Sequence, residues 1–407
     1  MSKQAINKLI PELRFPEFLN EGEWEEKAFE ELFVIGNGRD YKHLGKGYIP
    51  VYGSGGYMLS VSNFLYDGES VCIGRKGTID KPMFLTGKFW TVDTLFYTHS
   101  FKDCLPKYIQ YVFQNIDWLK HNEAGGVPSL SKTNIYKIET IVPKLKEQQK
   151  IASCLSSLDE VIAAHSQKLD ALKEHKKGLM QNLFPQEGET VPRYRFKEFE
   201  NDGDWEEKSL KDVITYFKGF AFQSGDYTTA GRRIVRVSDM GFDCIKNEIN
   251  SIYINEEKAE QLEKWQLKKN DLIITTVGSK PPVYDSLVGR TIVVKSKDKN
   301  ALLNQNAVCL RANNKIEQGF LNTLFKKIEY VAFIESIIRG NANQGSIALE
   351  DLFKYKFFQP KPREQQKIAS CLFSLDELIT AEAEKIEQLK LHKKGLMQGF
   401  FPKSITN

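Results

Sequence analysis

Two segments of the chain, EQQKIASCLSSLDEVIAAHSQKLDALKEHKKGLMQNLFP from Glu147 and EQQKIASCLFSLDELITAEAEKIEQLKLHKKGLMQGFFP from Glu364, agree at about two positions in three without a gap. Their offset is 217 residues (364 − 147). Self-similarity at a fixed offset constrains a fold before any local propensity does. In the first copy Ile151, Leu155, Leu158, Ile162, His165, Leu169, Leu172, Lys176, Leu179 and Leu183 are spaced alternately by four and three. That is a heptad seam. The second copy carries Ile368, Leu372, Leu375, Ile379, Glu382, Ile386, Leu389, Lys393, Leu396 and Phe400 on the same spacing. Pro143 and Pro360 stand before the segments and Pro185 and Pro402 after them. Proline is tolerated at helix edges and not inside. Each segment therefore predicts a helix of about 37 residues, ~55 Å long at 1.5 Å per residue.

A helix with one apolar stripe must bury it. The stripes can pack on the neighbouring sequence or on each other, and pairing is the stronger reading. Each helix returns the chain to a similar stretch, so an antiparallel pair in a pseudo-two-fold, duplicated architecture is expected. The polar seam positions, His165 with its equivalent Glu382 and Lys176 with Lys393, either run along the edge to water or face each other. Reflection about the midpoint of Leu169 and Leu172 would bring Lys176 to Glu382 and His165 to Lys393.

A second repeat precedes each helix. PELRFPEFLNEGEWEEKAFEEL starts at Pro11 and PRYRFKEFENDGDWEEKSLKDV at Pro192, an offset of 181 (192 − 11). The two offsets differ, so the second half is longer. The order is lead-in motif, block, long helix, then the same again. The boundaries read 1–146 for the first block with its lead-in and 147–185 for the central helix. The second block with its lead-in spans 186–363, and the C-terminal helix 364–407. The middles of the blocks do not align in sequence, so two similar frames carry what read as two different inserts.

Both blocks read as α/β (α+β) material with irregular antiparallel sheet. YIPVYG, SVCIG and DTLFY in the first, and RRIVRVSDM, DLIITTVGS and RTIVVKS in the second, are strand-like runs between glycine-rich turns. CLPKYIQYVFQNIDWLK and QGFLNTLFKKIEYVAFIESII read as helical. Donors and aromatics gather in the turns. In the first block they are Arg39, Tyr41, Lys42, Tyr52, Ser54, Arg75, Lys76 and Thr78. In the second they are Lys218, Phe220, Gln223, Arg232, Arg233, Arg236, Thr276, Ser279 and Lys280. Arginine and lysine suit phosphates and guanine edges, glutamine and serine can read base edges, and aromatics supply contact area. These are the candidate DNA-binding residues. Taken alone, a turn such as GRKGT is equally a solvated hairpin.

Several chemistries lack their residues. There is no G-x-x-x-x-G-K-[ST] phosphate loop, and the GNG at Gly36–Gly38 lacks the third glycine of a dinucleotide fingerprint. KPPVYD at Lys280–Asp285 lacks the amino-terminal acid or amide that an amino-methyltransferase needs at its target nitrogen. The histidines form no metal-spaced cluster. WEEK, at Trp24 and Trp205, imitates the tail of a nuclease motif, but reads better as the start of an element with tryptophan inward and charges outward. The six cysteines are scattered, with no C-x-x-C, as in a reduced, cytoplasmic protein. No run approaches the ~20 apolar residues of a membrane span. Net charge is only +4, which permits a polyanion partner without requiring one.

The doubled arrangement of Pro143–Leu183 and Pro360–Phe400, each a proline followed by EQQKIA and a long helix, resembles the specificity (S) subunit of type I restriction-modification enzymes. IYKIETIVP and LFKYKFFQP resemble that family's strand leading into the helix, and GNGRDYK, IPVYGSGG and IGRKGTIDKP resemble words of its target-recognition domains. The resemblance implies two globular target-recognition domains joined by two long antiparallel coiled-coil helices. Each domain would read one half of a bipartite, asymmetric site in double-stranded DNA. The helices would act as ruler and as docking surface for two methylation (M) subunits, with restriction/translocase (R) subunits joining them. S-adenosylmethionine, ATP and Mg²⁺ would belong to those partners, and this chain would need no cofactor and carry no bond chemistry. The competing readings are a fused nuclease or methyltransferase, opposed by the missing motifs, and a scaffold that holds two proteins without touching DNA.

Overall fold

The computed structural model describes residues 9–241, 244–246, 250–279, 288–340 and 345–401. Two long helices, Leu145–Asn182 and Pro362–Phe400, each begin two residues after the proline that bounds them. By packing, the chain divides into two units. One runs to Lys168 and resumes at Glu382, and the other is Leu169–Ala381. Each unit thus takes one block and a part of both helices.

Within each unit the helix segments run antiparallel. In the first, Asp159 meets Lys393 (2.6 Å) and His165 meets Glu382, so one number falls as the other rises. In the second, Lys176 meets Asp376, and Leu179 and Leu183 share a core with Ile368 and Leu372. The seam is buried or half-buried at every apolar position: Ile151, Leu155, Leu158, Ile162, Leu169, Leu172, Leu179, Leu183, Ile368, Leu372, Leu375, Ile379, Ile386, Leu389, Leu396 and Phe400. Each fully buried leucine or isoleucine contributes about 1.5–3 kcal/mol.

The expected register is corrected by about one heptad, or two helical turns: Lys176 and Lys393 each pair with a residue six positions before the expected one. Glu382 accepts hydrogen bonds from His165 and from Lys168 (2.9 Å), not from Lys176. Lys393 reaches Asp159 and the Gln114 side chain (3.2 Å), not His165. An apolar heptad stripe stays in phase when slid by a heptad, so it cannot select the register. Asp159 and Asp376 lie beside the seam, not in it, and they capture the two seam lysines. These are one interaction in duplicate: Asp376 is the repeat equivalent of Asp159 (159 + 217) and Lys393 of Lys176 (176 + 217).

The repeated word EQQ fastens frame to block. In the first unit Glu147 accepts two hydrogen bonds from Arg14 (2.8 Å each) and one from the Trp24 indole (3.2 Å). Arg14 also donates to the Gly22 carbonyl (2.6 Å). Gln148 donates to the carbonyls of Pro143 (2.8 Å) and Asp103 (3.0 Å) and accepts from the Leu105 amide (2.8 Å). The second unit repeats this with Arg195 on Glu364 (2.9 and 2.8 Å) and on the Gly203 carbonyl (2.7 Å), and with Gln365 on Pro360 O (2.7 Å) and the Glu317 amide (2.8 Å). Lead-in motif, helix start and block are thereby tied at one buried point. WEEK starts an element with its tryptophan inward, as its pattern predicts, and the element is a strand: Trp24 and Trp205 are each 3% exposed.

The first unit contains β1 (Glu25–Ala28), β2 (Val34–Asn37), β3 (Lys46–Gly53), β4 (Gly56–Val61), β5 (Tyr66–Asp67), β6 (Ser70–Gly74), β7 (Met83–Leu85), β8 (Lys88–Thr91), β9 (Leu95–His99) and β10 (Glu139–Val142). The second contains β11 (Glu206–Ser209), β12 (Ile214–Lys218), β13 (Tyr227–Thr228), β14 (Arg232–Val235), β15 (Ile252–Ile254), β16 (Leu272–Thr275), β17 (Val277–Gly278), β18 (Thr291–Val293), β19 (Leu302–Leu303), β20 (Ala307–Ala312), β21 (Gly345–Ser346) and β22 (Lys356–Gln359). The strand entering each long helix pairs antiparallel with the WEEK strand, β10 on β1 and β22 on β11.

The reading of two different inserts is also corrected. One sheet has the order β2-β9-β6-β7 in the first unit and β12-β20-β16-β18 in the second, all antiparallel, with the strands in corresponding chain order. A second sheet joins an antiparallel pair to a parallel one in both: β3 with β4 and β8, β14 with β15 and β19. A glycine locks the crossing between the sheets each time. A Cβ on Gly38 would lie 1.9 Å from the Val92 carbonyl oxygen, and one on Gly219 would lie 2.0 Å from that of Asn304. These glycines stand at the lead-in offset of 181 (219 − 38). The blocks share this core topology and differ at its edges: β5 pairs with β8 in the first, while in the second β13 pairs with β15 and β17 pairs with β21.

Candidate nucleic-acid interface

Each block opens a cleft at the same place in its topology. In the first block it has a volume of about 820 Å³ and lies among Asn37 at the end of β2, Arg75 and Lys76 just after β6, and the loop that enters the helix Lys132–Tyr136. In the second it has about 730 Å³ and lies among Lys218 at the end of β12, Thr276 just after β16, and the segment entering the helix Leu349–Leu352.

The first cleft has a fixed backbone and loose cations. Arg75 and Lys76 donate their amides to the Thr94 carbonyl (2.8 and 3.3 Å), the Leu130 amide donates to the Arg75 carbonyl (2.9 Å), and Gly77 donates to Pro128 (2.9 Å). Gly77 has φ +93°, a conformation that glycine alone adopts freely. The Asn122 side-chain oxygen Oδ1 accepts from the Ala124 (3.1 Å) and Ser129 (2.9 Å) amides, closing the facing loop. Among the described residues, no hydrogen bond or ion pair engages the Arg75 or Lys76 side chain. Lys132 is different: it donates to the Ile35 carbonyl (2.5 Å), and burial, with Arg75 nearby, holds its ammonium below the usual lysine range.

The candidates from sequence fall into groups. Ser54 comes against the 75–78 turn, 3.2 Å from where a Cβ on Gly77 would lie, so Ser54, Arg75, Lys76 and Thr78 are brought together. Arg39 and Lys42 are exposed, without a side-chain partner among the described residues. Tyr41 packs on the core of Val51, Val61 and Trp90, and Tyr52 on that of Cys72, Phe89 and Leu95. In the second block Lys218 and Thr276 line the cleft and Gln223 is exposed. Phe220 packs on Trp265, ring centres 4.7 Å apart. Arg232 is paired with Glu256 (2.6 Å), Arg233 with Asp298 (3.5 Å) and Arg236 with Asp239 (2.9 Å), so all three brace the second sheet. The Ser279 carbonyl accepts from the Val288 amide (3.1 Å). Lys280 lies outside the described residues. Asn37, Lys132, Tyr216 and Glu350 line the clefts and were not singled out from sequence. For Asn37 a signal existed, because it occupies the position of Lys218 at the lead-in offset (218 − 181).

The sequence profile described as the type I restriction modification DNA specificity domain matches residues 21–174 and again 202–391. The chain belongs to this specificity family. Its two matched regions each cover one block and most of the following helix, so two specificity domains share one chain. The MjaVIII type I restriction enzyme specificity subunit of Methanocaldococcus jannaschii is 26% identical over 345 residues, 82% of this chain and 76% of that protein. A second protein of that organism, the putative MjaX specificity subunit, is 25% identical over 313 residues, 72% of this chain and 66% of that one. The crystal structure of a type I restriction-modification S subunit from M. genitalium shares the fold, with a TM-score of 0.66 at 14% identity. The match covers 97% of this chain and all of that one.

Among the described residues, no group of three or more His, Cys, Asp and Glu side chains could hold a metal ion, and no helix is long and apolar enough to cross a membrane. All six cysteines are unpaired.

Proposed function

We propose that this chain is the non-catalytic DNA-reading subunit of a cytoplasmic type I restriction-modification complex. The first block reads one half of a bipartite, asymmetric duplex target and the second block reads the other. The paired long helices set the gap and seat two methylation subunits, to which restriction/translocase subunits attach. Those partners bring S-adenosylmethionine, ATP and Mg²⁺. This chain brings sequence choice.

The observation that carries the reading is the duplicated mounting. Two blocks of one core topology hang from one helix frame by the same buried Arg–Glu fastening, and their clefts differ in lining. Reading two unlike half-sites asks for that combination: constant geometry and variable side chains on rigid elements. The modest net charge fits a subunit whose partners supply part of the phosphate-neutralising surface.

Two measurements test it. Assembled with its methylation subunits, the chain should bind duplex DNA with sequence preference, and affinity should fall as salt rises. The chain alone should transfer no methyl group and cut no DNA. Methylation or cleavage by the isolated chain would favour the fused-enzyme reading. Assemblies with no selective, salt-dependent binding would leave only a scaffold.

A further inference from the structure

Resting on the DNA-reading role, we infer that the two topologically equivalent clefts are the base-reading sites, and that residues at two corresponding positions, with one from the short helix of each, decide the half-site. The corresponding pairs are Asn37 with Lys218 at the end of the first sheet strand and Arg75 with Thr276 after the third; the short helices add Lys132, the first residue of its helix, and Glu350, the second of its own.

A base reader must have its backbone held and its side-chain donors left uncommitted. Most arginines of the second block fail this test, because Arg232, Arg233 and Arg236 are bound to carboxylates. Arg75 passes it. Its amide and carbonyl are both fastened, to Thr94 and by Leu130, while its guanidinium has no hydrogen-bond or ion-pair partner among the described residues. Asn37, Lys218, Thr276 and Glu350 likewise have no side-chain hydrogen bond or ion pair there. Lys132, tied to Ile35 O, sets the positive field at the floor of its cleft.

Position is fixed in duplicate while chemistry varies. Asn37 and Lys218 each precede the glycine that packs against a strand-end carbonyl, Gly38 on Val92 and Gly219 on Asn304. Arg75 and Thr276 are each the first residue beyond the strand at the same place in the first sheet, β6 and β16. Asn37 and Arg75 in one cleft match purine edges, arginine the O6 and N7 of guanine and asparagine the N6 and N7 of adenine. Lys and Glu in the other match a G·C pair, lysine on the guanine and the carboxylate on the cytosine amino group.

The test is selection from a library of random duplex DNA by the chain assembled with its methylation subunits, parental against Arg75→Ala and Glu350→Gln. Each variant should lose roughly 10- to 100-fold discrimination at one base pair of one half-site. The two variants should affect opposite halves and leave the gap unchanged. If the parental assembly selects a bipartite sequence and both variants select the same one, the clefts are not the reading sites. A uniform drop in affinity with preference unchanged would overturn the inference too, making Arg75 a phosphate contact. A parental assembly that selects no sequence would overturn the DNA-reading role itself, a separate outcome.

Discussion

Glu147 makes the sharpest stability prediction. Its carboxylate is 2% exposed and takes two hydrogen bonds from Arg14, itself 4% exposed, and one from Trp24. Glu147→Ala leaves a buried guanidinium with only the Gly22 carbonyl and an indole N–H with no acceptor. Removing one partner of a buried pair costs about 3–5 kcal/mol, and an unsatisfied buried donor about 1–3 kcal/mol. The two overlap, so the expected loss is about 4 kcal/mol, against a typical total of ~5–15 kcal/mol. The repeat supplies an internal control. In the second unit the Trp205 indole has no hydrogen-bond partner, so Glu364→Ala spares that bond and should cost about 1 kcal/mol less. Replacing both Arg14 and Glu147 by leucine should recover most of the loss. Native-state hydrogen exchange, read peptide by peptide, assigns each effect to its unit. A Glu147→Ala loss below ~1 kcal/mol, or a larger loss at Glu364, would refute the reasoning.

Three further outcomes follow from the same geometry. A double-mutant cycle on Asp159 and Lys393 should show coupling of about 1 kcal/mol by urea denaturation, and a value near zero would undo the register given above. The Glu382 carboxyl is held below its ordinary 4.5 by hydrogen bonds from Lys168 and His165. Burial pushes Asp376 up, but Lys326 and Lys176 outweigh it and leave that carboxyl low as well. A depressed carboxyl stabilises the fold above its unfolded pKa, and that contribution is lost as pH falls through the folded value. Stability should therefore fall below pH about 4.5, with a shallower slope in Glu382→Gln, and equal slopes would contradict the pairing. Gly38→Ala and Gly219→Ala should each cost at least about 1–3 kcal/mol, because the new methyl meets a backbone carbonyl; thermal melts unchanged by either would contradict the locked sheet crossing.

The frame was legible in the sequence because helix periodicity and proline edges report directly on burial. The two helices and the WEEK element starts stand where the pattern puts them, and the strand into each helix stands where the family resemblance implied it. Register was not legible, since an apolar stripe fits its partner at successive heptads and the deciding groups, Asp159 and Asp376, lie outside the stripe. The shared topology of the blocks was hidden as well. Strand cores accept any apolar residue of suitable size, and the second block is longer by 36 residues (217 − 181), so few identities survive between Gly38 and the strand entering the helix. Gly38 and Gly219 survived because no other side chain fits. The turns were read by residue type, and type does not reveal commitment. Arg232, Arg233 and Arg236 match Arg75 in chemistry, yet each already holds a carboxylate. Tyr41 and Tyr52 turned inward because the small sheets need their area.

The central claim is that each block reads its own half of one target. The most direct measurement maps methylated bases in DNA from cells carrying the parental subunit. It then repeats the map after residues 24–146 are replaced by the equivalent block of another specificity subunit. The expected result is a bipartite site in which one half changes to that of the donor while the other half and the gap stay as they were. A graft that alters both halves, or that leaves the site unchanged with methylation intact, would contradict it.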